Sequence, residues 1–223
     1  MEPNYQTETI NGVKIAYRGN EHGVIPEVYY EDPYRVKEIK ENGTVIDIGG
    51  CIGVFSIRCA KERNCTVYAY EPYLESYNLL IHNTRVNGLE NKIFAFNKAV
   101  SNKKEVRDFY IHPNHFAGST FYPGQGIPYI IEKVECTTLT DIFKDNNLDR
   151  CDLVKLDCEG EEKNILLDCQ ELKRIDKIIL EYHLYVDGKI LMEHLRKMGF
   201  LVQSVVGDAL PQVERSMLYA TRL

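Results

Sequence analysis

Val45-Ile-Asp-Ile-Gly-Gly-Cys-Ile-Gly-Val-Phe-Ser56 joins an apolar run to a helical pattern through a turn with glycines at 49, 50 and 53. The run from Thr44 reads as a short buried strand, and Ile52 to Lys61 carries apolar residues at helical spacing. Gly49 allows a tight turn because it lacks a Cβ. Gly53 allows the helix start to pack close to the strand and to a ligand. The N–H groups at the helix start then face whatever is bound. Alone, the same glycines also suit a turn needed only for packing.

Outward from this turn, strands and helices alternate. Thr66 to Tyr70 reads as a second strand, Tyr73 to Val86 as a helix stopped by Asn87-Gly88, and Lys92 to Phe96 as a third strand. Asp152 to Asp157 is a further strand, followed by a helix through about Cys169 and a strand from Lys177 to Tyr182. A helix near Ile190 to Lys197 precedes strands near Phe200 to Val206 and Ser216 to Thr221. Such alternation implies crossover connections. The expected fold is therefore α/β, a doubly wound and mainly parallel sheet, with the last two strands as an antiparallel edge hairpin. Ser101 to Cys136 breaks the rhythm as an inserted hairpin, its middle rich in Gly, Pro, Ser and aromatics, which suits a loop over a site. The chain is read as one domain: an extension (1–43) with short edge strands and a helix from Pro33 to Glu41, then a catalytic core (44–223).

Glu71 ends the second strand beside the glycine turn, where a carboxylate can accept hydrogen bonds from both hydroxyls of a ribose. Such bonds to a charged group are worth roughly 1.5–3 kcal/mol. The turn itself follows Asp47-x-Gly49-x-x-x-Gly53, unlike the G-x-G-x-x-G that brings backbone against a pyrophosphate. Asp47 immediately before it disfavours a diphosphate and favours a cation. S-adenosylmethionine offers adenosine, a sulfonium and an amino group, with no phosphate. Asp47 is expected to orient its methionine end and Gly49 and Gly53 to shape the floor. Ala99 and Val100, after the third strand, are expected to line the adenine, and Cys51 to come near the cofactor.

These blocks resemble the FkbM-type methyltransferases, within the class I S-adenosylmethionine-dependent enzymes. Matching segments are Val45 to Ser56, Ala69-Tyr-Glu-Pro, Asn78-Leu-Leu-Ile-His-Asn with Asn87, Ala99-Val-Ser, Lys155-Leu-Asp-Cys-Glu-Gly-Glu-Glu and Leu180-Glu-Tyr-His. Cys51 and Gly50 depart from the usual Asn and Ala. The resemblance implies a seven-stranded sheet, methyl transfer, and usually a hydroxyl acceptor on a small molecule or sugar.

At the reacting end, Asp157 closes a strand at the edge shared with Asp47 and Glu71. It can hold the donor's amino group or accept a hydroxyl proton. Glu159 lies just beyond, as a substrate contact, while Glu161 and Glu162 also suit a helix N-terminus. Glu181 and His183, two apart on a strand, emerge on one face, and a histidine beside a carboxylate is a candidate general base. His183, Glu181 and Asp157 are thus the candidates for acceptor activation. His115, Ser119 and Tyr122 in the insertion are candidate substrate contacts. His112 and His115 have the spacing of a ligand pair but match no zinc pattern, so no metal is expected.

Composition narrows the partners. Of 223 residues, 27 are basic and 33 acidic, a net charge of −6. That balance leads to the expectation of no nucleic-acid partner. No apolar run approaches the ~18 residues of a membrane span. Seven cysteines without a C-x-x-C pair read as reduced thiols, hence a cytoplasmic location. An RNA methyltransferase on the same fold, a nicotinamide dehydrogenase and a non-catalytic S-adenosylmethionine-binding module are the alternative readings.

Overall fold

The computed structural model describes residues 5–182, 188–206 and 216–223. Strands β1 (Gln6–Ile10) and β2 (Val13–Tyr17) form a separate antiparallel hairpin, turned by Asn11-Gly12 with both residues at positive φ. Short helical turns follow over Gly19–Gly23, α1 (Val24–Pro26) and Glu27–Glu31. The helix expected from Pro33 to Glu41 is reduced to one turn, Val36–Glu38. Asp32 and Arg35 both adopt left-handed backbone (φ 49° and 48°), which interrupts an α-helical ladder before it starts.

The main sheet contains β3 (Thr44–Ile48), β4 (Thr66–Tyr70), β5 (Ile93–Phe96), β9 (Cys151–Leu156), β10 (Ile175–Tyr182), β11 (Phe200–Val206) and β12 (Ser216–Arg222). Their order is β11-β12-β10-β9-β3-β4-β5, seven strands with β12 antiparallel to both neighbours. From β3 the chain steps outward to β4 and β5, and later through β9 to β10. The order reverses between β3 and β9, and a ligand crevice opens at the carboxyl ends of strands around such a point.

Alternation along each strand divides the core. Val45, Val67, Leu153 and Ile179 pack with α2 (Val54–Arg63), α3 (Leu74–Val86) and the extension. Ile46, Ile48, Val154, Leu156 and Leu180 face the other layer, α4 (Leu139–Asp145), α5 (Glu162–Leu167) and α6 (Gly188–Lys197). Burying each such side chain contributes roughly 1.5–3 kcal/mol. Helix α4 was absent from the sequence reading. Its cap was legible there, since Thr138 accepts from the Asp141 N–H at 3.1 Å, three residues on.

The insertion forms a three-stranded sheet of β6 (Ala99–Val100), β7 (Val106–Ile111) and β8 (Ile130–Thr137), in the order β6-β8-β7. Its apolar face, with Phe109, Ile111, Phe121 and Val134, packs together with Tyr73 and Ala99 over the carboxyl edge of the main sheet. Among the described residues, no helix is long and apolar enough to cross a membrane.

Candidate active site

A cavity opens at the carboxyl ends of β3, β4 and β9, between the insertion and the helical turns of the extension. Its base is the glycine turn. Gly49 and Gly50 both donate to the Tyr70 carbonyl at 3.0 Å, and Asp157 N–H donates to the Ile48 carbonyl at 3.1 Å. Gly49 has φ 78°, and a Cβ there would lie 1.8 Å from the Asp157 carbonyl oxygen, so only glycine fits. Gly53 departs from expectation. Its φ of 88° caps α2, but it faces Leu80 of α3 (3.0 Å from a built Cβ) and is absent from the cavity wall, which Gly49, Gly50 and Cys51 supply.

Glu71 stands on the wall and is 7% exposed. One carboxylate oxygen accepts from Cys51 N–H and the other from Tyr73 N–H, each at 2.8 Å. Each oxygen has a second lone pair to offer. Burial pushes this carboxyl up to about 7, against the two N–H groups and the nearby Lys155, which favour its charge. Ala99 and Val100, on β6, also line the cavity.

Asp47 does not reach the cavity, contrary to its expected contact with the donor. It is fully buried, accepts from Ser56 Oγ at 2.6 Å and pairs with Lys155 Nζ at 3.2 Å. The reason is register: Asp47 and Lys155 are direct neighbours on the parallel strands β3 and β9. Lys155 also donates to the Gly49 carbonyl at 2.7 Å, so it holds the turn's backbone and lines the cavity itself. Burial opposes its charge, yet Asp47 and Asp157 carry its pKa well above the ordinary lysine range. Sequence reasoning passed over Lys155 as a site residue. Its signal was a lysine inside the otherwise apolar run Leu153-Val-Lys-Leu.

Asp157, Glu159 and Glu181 all line the cavity. Tyr34, from the extension, donates to Asp157 Oδ2 at 2.7 Å and is itself on the wall. Burial and then Asp157, Glu27 and Glu181 push the Tyr34 phenol well above its usual range, so it stays protonated. Glu159 has left-handed backbone (φ 53°), and its carbonyl accepts from Thr120 Oγ1 at 2.7 Å. His183 lies outside the described residues.

From the insertion, His115 and Ser119 line the cavity with Phe116 and Phe121. Tyr122 does not. Its hydroxyl donates to Glu161 Oε2 at 2.7 Å and accepts from Asn164 at 2.8 Å. Glu161 is 1% exposed and also receives Arg107 at 2.9 Å, so it fastens the insertion to the start of α5. Glu162 caps the same turn by accepting from Cys158 N–H at 3.0 Å. Among the described residues, no group of three or more His, Cys, Asp and Glu is arranged to hold a metal ion.

The donor set tests which cofactor the cavity suits. Among the described residues, six carboxylates lie on its wall, from Glu27, Glu71, Asp157, Glu159, Glu161 and Glu181, and no arginine does. Its lysine, Lys155, is engaged by Asp47 and by backbone carbonyls. A pyrophosphate would meet an excess of carboxylates there, whereas a sulfonium and an ammonium are attracted. The residues fit S-adenosylmethionine.

Comparisons with known proteins agree. The sequence model of the methyltransferase FkbM domain matches residues 47–202. Methyltransferase sdnD of Sordaria araneosa is 22% identical over 189 residues, covering 71% of this chain and 73% of that protein. The tRNA (guanine(37)-N(1))-methyltransferase of Xenopus tropicalis is 31% identical over 100 residues, covering 44% of this chain and 18% of that protein. The chain thus spans less than a fifth of this tRNA enzyme's length. Among solved structures, M. jannaschii TYW2 in complex with AdoMet superposes with TM-score 0.55 at 17% identity, covering all of this chain and 89% of that one. M. capricolum TrmK in complex with S-adenosyl-homocysteine gives TM-score 0.55 at 14% identity, covering 86% and 67%. These likenesses show the class I fold. The comparisons also overturn the exclusion of nucleic acid, because the relatives include tRNA (guanine(37)-N(1))-methyltransferases and the similar solved structures include a M. jannaschii tRNA m1G37 methyltransferase. The reason is physical: a net charge averages over all faces and does not report on any one contact surface.

Proposed function

The chain belongs to the FkbM methyltransferase domain family, with S-adenosylmethionine as its methyl donor, and on that premise we propose that it methylates an oxygen nucleophile, the hydroxyl of a small molecule or sugar. When bound, the donor supplies an electrophilic methyl group on its sulfonium. In this reading Glu71 accepts from the ribose hydroxyls, Ala99 and Val100 line the adenine, and Asp157 faces the cationic end. Phe116 and Phe121 exclude water from above. Glu181 takes the hydroxyl proton, and His183 remains a candidate for the same task. His115, Ser119 and Glu159 contact the acceptor. Alignment can supply on the order of 7–11 kcal/mol and a general base about 10²–10⁴-fold, so positioning dominates.

The observation that carries the reading is that Asp157, Glu159 and Glu181 line the same cavity as Glu71 and the glycine turn. Carboxylates there are proton acceptors for a hydroxyl. A second reading, a nucleobase in tRNA as acceptor, is favoured by the relatives named for that reaction. Incubation with methyl-labelled S-adenosylmethionine, against a panel of hydroxyl compounds and against total tRNA, separates them. Label in an alkali-stable ether of a small compound supports the first. Label in a purified tRNA base with none in the panel replaces it with the second.

A further inference from the structure

Tyr34 lies ahead of residues 47–202, which the family model matches, yet it forms part of the donor cavity. It is 3% exposed, and its hydroxyl reaches Asp157 Oδ2 at 2.7 Å. The surrounding backbone holds it there. Asp32 and Arg35, on either side, are both left-handed, a conformation that L side chains rarely adopt. Asp32 accepts from Val36 N–H at 2.9 Å and from Arg58 at 2.8 Å, which ties the bend to α2. Tyr219 on β12 donates to the Pro33 carbonyl at 2.8 Å, and the Arg35 guanidinium stacks on the Tyr219 ring at 3.7 Å. The Tyr34 ring meets Phe55 edge-on at 5.2 Å. A residue needed only to fill this space could be phenylalanine. A hydroxyl delivered by a bent, doubly anchored segment onto a cavity carboxylate has a more specific use.

We propose that Tyr34 is a positioning residue of the methyl-donor site, its hydroxyl steering the Asp157 carboxylate toward the donor's cationic amino-acid end. The inference rests on the reading of Asp157 as facing that end. A hydrogen bond donated to a carboxylate fixes its rotation and favours its charged form. Lys155 Nζ lies over the phenol ring, 5.2 Å from its centroid, and Asp47 holds it in place. The extension therefore completes a site whose other parts belong to the family domain.

Adenosine and S-adenosylhomocysteine separate this role from simple packing, because only the latter carries the ammonium group. Calorimetric titration of both into the full chain and into Y34F is the test. Y34F should bind S-adenosylhomocysteine about tenfold more weakly and adenosine as the native protein does. In a D157N background, adding Y34F should cause no further loss. Equal losses for both ligands, no loss for either, or a further tenfold loss on D157N overturns the proposal. Native affinity for S-adenosylhomocysteine in D157N would remove Asp157 from the donor site and the proposal with it. No methyl acceptor enters these titrations, so assays that contradict the hydroxyl reading leave this result in place.

Discussion

Asp47 and Lys155, register partners on adjacent parallel strands, form an ion pair of 3.2 Å with 0% and 4% of their side chains exposed. The pair lies beneath the glycine turn and, through Lys155, fixes the Gly49 carbonyl. Breaking such a pair from one side leaves an uncompensated buried charge, at a cost of about 3–5 kcal/mol. K155M should therefore lose about that much stability in urea unfolding, and a D47L/K155M double variant should regain part of it. Loss of under 1 kcal/mol in K155M would contradict this account of the pair.

Gly49 tolerates no side chain. A Cβ would meet the Asp157 carbonyl at 1.8 Å, on a backbone already at φ 78°. G49A must push β3 and the Asp157 turn apart, and should abolish detectable S-adenosylhomocysteine binding. G88A provides the control, because its added Cβ meets nothing within 4 Å at a similar φ of 66°. If G49A binds as tightly as G88A, the turn is not the cavity floor.

Glu71 makes stability depend on pH. Its folded pKa of about 7 lies above the ordinary 4.5 because burial disfavours its charge. Between those values the folded state binds more protons than the unfolded state, so stability falls as pH rises from about 4.5 to about 7, then levels. At 1.36 kcal/mol per unit the full loss is about 3 kcal/mol. E71Q, which does not titrate, should lack this slope when urea unfolding is followed from pH 4.5 to pH 8. Parallel profiles for the two proteins would show that Glu71 titrates normally.

Glu161 fastens the insertion through Arg107 and Tyr122. E161Q removes the charge that both groups serve, and it should raise amide hydrogen exchange across residues 107–122. Because His115, Phe116, Ser119 and Phe121 line the cavity, affinity for S-adenosylhomocysteine should fall with it. Unchanged exchange in that stretch would mean that the apolar face alone holds the insertion.

Much of the fold was legible because periodicity reports burial. The strands at Thr44–Ile48 and Thr66–Tyr70 read directly from apolar runs, and the break in alternation from Ser101 to Cys136 marked the insertion. The extension read worst. Pro33 and Asp32 look like a helix start, but the left-handed Asp32 and Arg35 are held by distant partners, Arg58 and Tyr219. Local pattern carries no trace of those. The same limit applied to the site. Glu71, Asp157, Glu181, Ala99 and Val100 follow from strand ends, which the sequence locates, and all reach the cavity. Asp47 sits one residue before its strand's end and faces α2, so it lies beneath the cavity and out of its reach. Tyr34 enters from an element whose shape depends on tertiary contacts.

The most direct test is a crystal structure of the full chain with S-adenosylhomocysteine. The ribose hydroxyls should lie within hydrogen-bond distance of Glu71, with the ammonium group facing Asp157. Ligand held in this cavity with its ribose away from Glu71, or bound elsewhere on the chain, would contradict the assignment of the donor site.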